Sequence, residues 1–250
     1  MRRSLNPKSL RVTLRMSDPL KQDGSSMNPN LTEIVYILDR SGSMQAMQEP
    51  AMAAFNDFIK AQLDVPGQAR LTLVQFDDAY EVIVSATLLQ EVPRLTSATY
   101  QPRGTTALLD AIGRSIQETD HRLSTLPEAE KPGKVILAIF TDGLENASRE
   151  YSAKRVGDLI RHGRDQKNWE FLFLAANQDA IASAAAMQMD PHLSGKVSFC
   201  FGGVKATGAS WSRKVRAMRM KASGNMDAQA LEDDAKSMDQ IVKEEEGKQP

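Results

Sequence analysis

The sequence predicts an α/β protein built as three layers, with helices on both faces of a mainly parallel sheet and one antiparallel strand at its edge. Three observations carry this. Residues 34–38 and 135–140 are unbroken apolar runs, too short for helices and suited to strands buried on both faces. Between the strand-like runs lie segments whose apolar residues recur three and four positions apart, as on a helix that packs by one face. Strand and helix alternate through most of the chain, which leads to a parallel sheet joined by helical crossovers.

Taken in order, residues 1–30 hold six Lys/Arg against two Asp/Glu and show little periodicity, so they read as a disordered lead-in. Met27 stands just before the first strand and is an alternative start. The strand over 34–38 stops at Asp39. A helix is expected over 47–63, burying Ala51, Ala54, Phe55, Phe58, Ile59 and Leu63, with Pro50 in its first turn. Residues 70–76 and 80–88 read as strands paired antiparallel through a turn at Asp77-Asp78. Pro102-Arg103-Gly104-Thr105-Thr106 is a loop leading into a helix over 107–126, with Leu109, Ile112, Ile116 and Leu123 on one face. Lys131-Pro132-Gly133 breaks the chain before the strand over 135–140, which Thr141-Asp142-Gly143 ends much as Asp39 ends the first. A helix over 151–166 capped by Ser148 follows. After it come a buried strand over 169–176 and an Ala-rich helix reaching 187, with Asn177 and Asp179 as caps. A short strand over 196–201 and a closing helix over 204–221 complete the series.

The main domain is thus placed at 31–202, followed by a basic helix over 203–222 that packs on it or extends it, and a tail over 223–250. Arg213, Lys214, Arg216, Arg219 and Lys221 give that helix a basic cluster, either a solvated face or a seat for an anionic partner. Residues 227–246 hold eight Asp/Glu and two Lys, and read as an acidic tail, helical or disordered, in contact with solvent.

The 250 residues are 41% hydrophobic and 25% charged, ordinary for a globular protein, and allow one large α/β domain or two small ones. A net charge of −1 gives no electrostatic case for nucleic acid or a membrane as the main partner. The apolar runs fall short of the ~18 residues of a spanning helix. Arg2 and Arg3 lead into no apolar stretch of a secretory signal, so the cytoplasm is the expected compartment. The single cysteine, Cys200, excludes an intrachain disulfide and is expected to be a small buried hydrophobe.

The chemistry gathers at one edge. Asp39, Ser41 and Ser43 follow the first strand, at the end where open α/β sheets place ligand sites. Thr106 at a helix start and Asp142 after a later strand fall on the same edge, because parallel strands point their carboxyl ends one way. Two carboxylates facing each other there repel unless a cation lies between them. Hydroxyls and carboxylates are hard donors that suit Mg²⁺, Mn²⁺ or Ca²⁺ better than zinc or copper, and room for waters favours Mg²⁺. Gly42 and Gly104 suit the tight loops this requires.

The pattern Asp39-x-Ser41-x-Ser43, then Gly104-Thr105-Thr106-Ala107-Leu108-Leu109-Asp110-Ala111-Ile112, then Thr141-Asp142-Gly143, resembles a von Willebrand factor type A (VWA) domain with its metal-ion-dependent adhesion site. The resemblance covers about residues 31–202, and Ala175-Ala176-Asn177-Gln178-Asp179-Ala180 is similar to bacterial and phage-like members. It implies a Rossmann-like αβα sandwich in which Ser41, Ser43 and Thr106 coordinate the metal directly. Asp39 and Asp142 would then act mostly through waters and hydrogen bonds to the serines. Thr106 is preferred to Thr105, since only that register matches Asp110-Ala111-Ile112. The implied function is metal-dependent capture of an Asp or Glu from a partner protein, without catalysis.

Two other readings compete. Asp39 beside a divalent cation resembles the nucleophile of Mg²⁺-dependent phosphoryl-transfer enzymes, but Ser41 stands where such phosphatases need a second carboxylate. There is no phosphate-binding Gly-x-x-x-x-Gly-Lys-Ser/Thr loop and no Gly-x-Ser-x-Gly elbow. His121, His162 and His192 lack metal or triad spacing. In the third reading the metal only ties the loops together.

Overall fold

Apolar side chains alternate between two helical layers because successive residues of a strand point to opposite faces. In β1 (Asn28–Asp39), Ile34, Tyr36 and Leu38 face one layer, while Val35 and Ile37 face the other. β4 (Pro132–Thr141) divides in the same way, with Ile136, Ala138 and Phe140 against Val135, Leu137 and Ile139. The computed structural model describes residues 27–142, 145–176, 178–198 and 200–248. The six strands stand in the order β3-β2-β1-β4-β5-β6, where β2 is Gln68–Phe76, β3 Tyr80–Leu88, β5 Glu170–Ala175 and β6 Ser194–Lys196. All neighbours pair parallel except β2 and β3, so the antiparallel strand lies at an edge as expected.

The first layer holds α1 (Gln48–Leu63) and α5 (Phe201–Ala222); the second holds α2 (Leu108–Ser124), α3 (Ala153–Lys167) and α4 (Gln178–Ala186). Trp211 of α5 is the largest buried side chain of the first layer and meets Tyr36 edge-to-face, with ring centroids 4.7 Å apart. Such aromatic contacts add to the area they bury and fix α5 on the sheet.

Several local expectations are corrected. Leu63 ends α1 about half exposed and is not on the buried face. A 3₁₀ turn over Gly42–Met47 carries the chain from the β1 loop into α1. The strand expected over 196–201 lies at Ser194–Lys196, and α5 starts at Phe201. α3 is capped by Ser152, whose hydroxyl accepts the Arg155 N–H; Ser148 is employed at the candidate site instead. Cys200 is exposed, against the expectation of a buried thiol. Asn177 and the side chain of Asp179, expected as caps of α4, lie outside the described residues, as do residues 1–26.

The acidic segment folds back on the basic helix. α6 (Ala228–Ala235) and α7 (Met238–Glu246) follow α5, and Met238 and Val242 of α7 are buried in the first layer's core. Arg213 pairs with Asp233, Glu244 and Glu245, and Arg216 with Asp227. Lys221 pairs with Asp234. Lys214 is fully buried and donates to the carbonyls of Asp233, Asp234 and Lys236 at 2.6–3.0 Å, a cation at the C-terminus of α6. Arg219 donates to the carbonyls of Gln62, in the last turn of α1, and of Gly67 beyond it. The anionic partner of the basic cluster is therefore the chain's own tail.

Candidate metal centre

β1 is central, and its two neighbours are reached by connections that leave in opposite senses, to β2 on one side and β4 on the other. The crevice between the carboxyl ends of β1 and β4 is thus the topological switch point of the sheet, where side chains from two diverging loops can face one ligand. Asp39 ends β1 and Asp142 directly follows β4.

These residues form a continuous chain. The Asp39 carboxylate accepts the Ser41 N–H at Oδ1 (2.7 Å) and the Thr141 hydroxyl at Oδ2 (2.6 Å). The Ser41 and Ser43 hydroxyls lie 3.1 Å apart, and Ser43 Oγ donates to Asp142 Oδ1 at 2.9 Å. Asp39 is wholly buried, Asp142 is 7% exposed, and Ser43 reaches the surface. Tyr100 donates to the Asp39 carbonyl at 2.6 Å from beneath.

Burial pushes the Asp39 carboxyl up to about 6 against the pull of its bonds to Thr141 and Ser41, and the charge of Asp142 pushes the same way. Asp142 is also raised, by burial first, with the Ser43 hydroxyl opposing. Among the described residues Asp39 makes no ion pair, and the neighbouring Arg40 pairs instead with Asp77 and Glu81. Two buried carboxylates joined through two hydroxyls, with no protein cation on Asp39, make a donor set that fits a divalent cation. No group of three or more His, Cys, Asp or Glu that could hold a metal is found among the described residues, so a cation here would depend on the hydroxyls.

Thr106 belongs to the same edge through its loop. Arg103 N–H donates to the Arg40 carbonyl (2.8 Å), Gly42 N–H to the Gly104 carbonyl (3.2 Å) and Ala107 N–H to the Asp77 carbonyl (2.8 Å). These bonds lace the loop to those after β1 and β2. Thr106 is buried while Thr105 is exposed. Gly104 has φ of +65°, a conformation that favours glycine, and a Cβ there would also have to displace the Asp78 carboxylate, whose Oδ1 would lie 2.2 Å away. Gly143, the last residue of the third motif segment, lies outside the described residues.

Sequence reasoning missed the frame around these residues. Arg40 and Arg103 both grip Asp77 and Glu81, at 2.7–3.0 Å, which braces the β1 loop against the Thr106 loop. Asp77 was legible only as a turn residue.

Residues 34–145 match the family model described as the von Willebrand factor type A domain. The chain carries a VWA fold. Solved structures with similar folds include the pilus adhesin SpaC from Lactobacillus rhamnosus GG, 14% identical with a TM-score of 0.53, over 78% of this chain and 32% of that one. The proximal thread matrix protein 1 of the mussel byssus is 16% identical with a TM-score of 0.52, over 77% and 46% of the two chains. A von Willebrand factor type A protein from Catenulispora acidiphila is 18% identical with a TM-score of 0.47, over 80% and 43%. The chain therefore spans less than half the length of these structures. No curated protein matches it.

Proposed function

We propose that the VWA domain is a protein-binding module that holds a divalent cation through Ser41, Ser43 and Thr106 and captures through it an Asp or Glu side chain of a partner protein. Mg²⁺ suits the small hydroxyl donors best, with Mn²⁺ and Ca²⁺ as alternatives. The observation that carries this is the unbroken Asp39–Ser41–Ser43–Asp142 chain at the switch point of the sheet. Bound there, the cation supplies a Lewis-acidic centre with coordination positions open to water or a carboxylate. Asp39 and Asp142 orient the serines and offset the cation's charge from behind. The VWA fold shared with a pilus adhesin supports a binding role.

Phosphoryl transfer with Asp39 as nucleophile is not favoured. Both Asp39 oxygens accept hydrogen bonds from Ser41 and Thr141, and the side chain has no exposed surface from which to attack. A cation that only ties the loops together is the remaining alternative, and partner binding that survives chelation would favour it.

Calorimetric titration of Mg²⁺ into the metal-free protein and into a Ser41→Ala/Ser43→Ala variant tests the site itself. The wild type should bind one ion per chain, and the variant should bind at least about 100-fold more weakly. Equal affinity would refute the proposal.

A further inference from the structure

Thr106 lies in a loop outside any helix or strand, yet it is buried, so its main-chain N–H and carbonyl must find partners within the protein. A single residue supplies both. Asn146 Oδ1 accepts the Thr106 N–H at 2.9 Å, and the Asn146 N–H donates to the Thr106 carbonyl at 3.1 Å. Two bonds from one residue fix both the position and the orientation of the threonine.

The same loop supplies the cap that α2 lacks. The residue before this helix, Ala107, has no side chain to satisfy the first free N–H groups. Glu145 Oε2 accepts the Leu109 N–H (2.8 Å) and Ser148 Oγ accepts the Asp110 N–H (3.1 Å). Glu145 also holds its own loop closed, taking the N–H groups of Ala147 and Ser148 on Oε1. Asp110 returns the contact by accepting the N–H groups of Arg149, Glu150 and Tyr151 at 2.8–3.0 Å. The loop that carries Thr106 and the segment that follows Asp142 are thereby stitched into one unit.

We infer that Asn146, supported by Glu145 and Ser148, is a positioning residue of the cation site, holding Thr106 in register with Asp142 so that both are presented to the ion together. The inference rests on the proposed cation-dependent function. Asn146 needs no contact with the ion for this. It acts through the threonine main chain, as groups behind the direct ligands do in other metal sites, where their loss costs 10- to 100-fold in affinity. Asparagine also suits the place because it accepts the hydrogen bond without adding a third carboxylate to the site.

The test is Mn²⁺ affinity by calorimetry, with the thermal midpoint of the metal-free protein measured alongside. Asn146→Ala should lower Mn²⁺ affinity by about 10- to 100-fold. Asn146→Asp keeps an acceptor for the Thr106 N–H and should bind Mn²⁺ no more weakly than wild type. Ser237→Ala, which removes the cap of α7, should lower the midpoint and leave Mn²⁺ affinity unchanged. Wild-type affinity in Asn146→Ala, or an Asn146→Asp variant as weak as alanine, would overturn the positioning role alone. A wild-type protein that takes up no Mn²⁺ would overturn the cation reading beneath it. If Asn146→Ala fails to fold, Asn146→Leu, which keeps the side-chain volume but accepts no hydrogen bond from the Thr106 N–H, takes its place with the same expected loss and the same overturning result.

Discussion

Glu33 lies in the same strand as Asp39 and has no exposed surface. Its Oε1 takes a bond from Arg122 at 2.6 Å, while Oε2 is buried with no hydrogen-bond partner among the described residues. Burial pushes this carboxyl up to about 7 from 4.5, against the opposing charges of Arg122 and Arg70. The folded pKa lies above the unfolded one, so the folded state holds the proton more tightly and stability falls as pH rises through this window. The loss is on the order of 3 kcal/mol in all, most of it between about pH 5 and pH 7. A Glu33→Gln variant should lack that part of the pH dependence, as read by urea unfolding at acid, neutral and alkaline pH. Parallel profiles for the two proteins would show that Glu33 does not titrate as described. At this scale the candidates Asp39, Ser41, Ser43 and Asp142 could be named from short spacing and strand ends, and Thr106 from its register before Asp110-Ala111-Ile112. Asn146 and Glu145 could not, since what they do depends on backbone groups of Thr106 and Leu109 that lie 36 to 40 positions back in the chain.

The strands were readable from apolar runs, whereas the burial of the last two helices was hidden by their charge. Eight acidic residues in 227–246 mask Met238, Ile241 and Val242, which stand at helical spacing and are fully buried. A signal was present in Ser237-Met238-Asp239-Gln240, which forms a capping box at the start of α7. The basic face of α5 was equally ambiguous until its partner was known, because a helix covered by opposite charge and a helix in water share the same composition. Ile241→Ala should cost about 2–5 kcal/mol in chemical unfolding, the range for an aliphatic side chain lost from a packed core. A change within about 0.5 kcal/mol would instead mean that α7 lies on the surface. The misplaced last strand has a similar cause, since 196–201 is apolar enough for either state and only pairing with β5 selects Ser194–Lys196.

At the scale of the whole molecule, the sheet order puts the carboxyl ends of β1 and β4 side by side, so loops far apart in sequence meet at one crevice. The layered, mainly parallel architecture followed from alternation and from the buried runs, whereas the strand order is fixed only by the pairing of the strands. The layers behind the sheet, including α5 and α7, keep β1 and β4 in place without entering the crevice chemistry. The crevice is proposed to bind a partner protein only when a divalent cation is held there. The most direct measurement of this is affinity capture with wild-type bait in Mg²⁺, with wild-type bait in chelator, and with Ser41→Ala/Ser43→Ala bait in Mg²⁺. A set of proteins should be retained in the first arm and lost alike from the other two. The same proteins retained in all three arms would contradict the proposal.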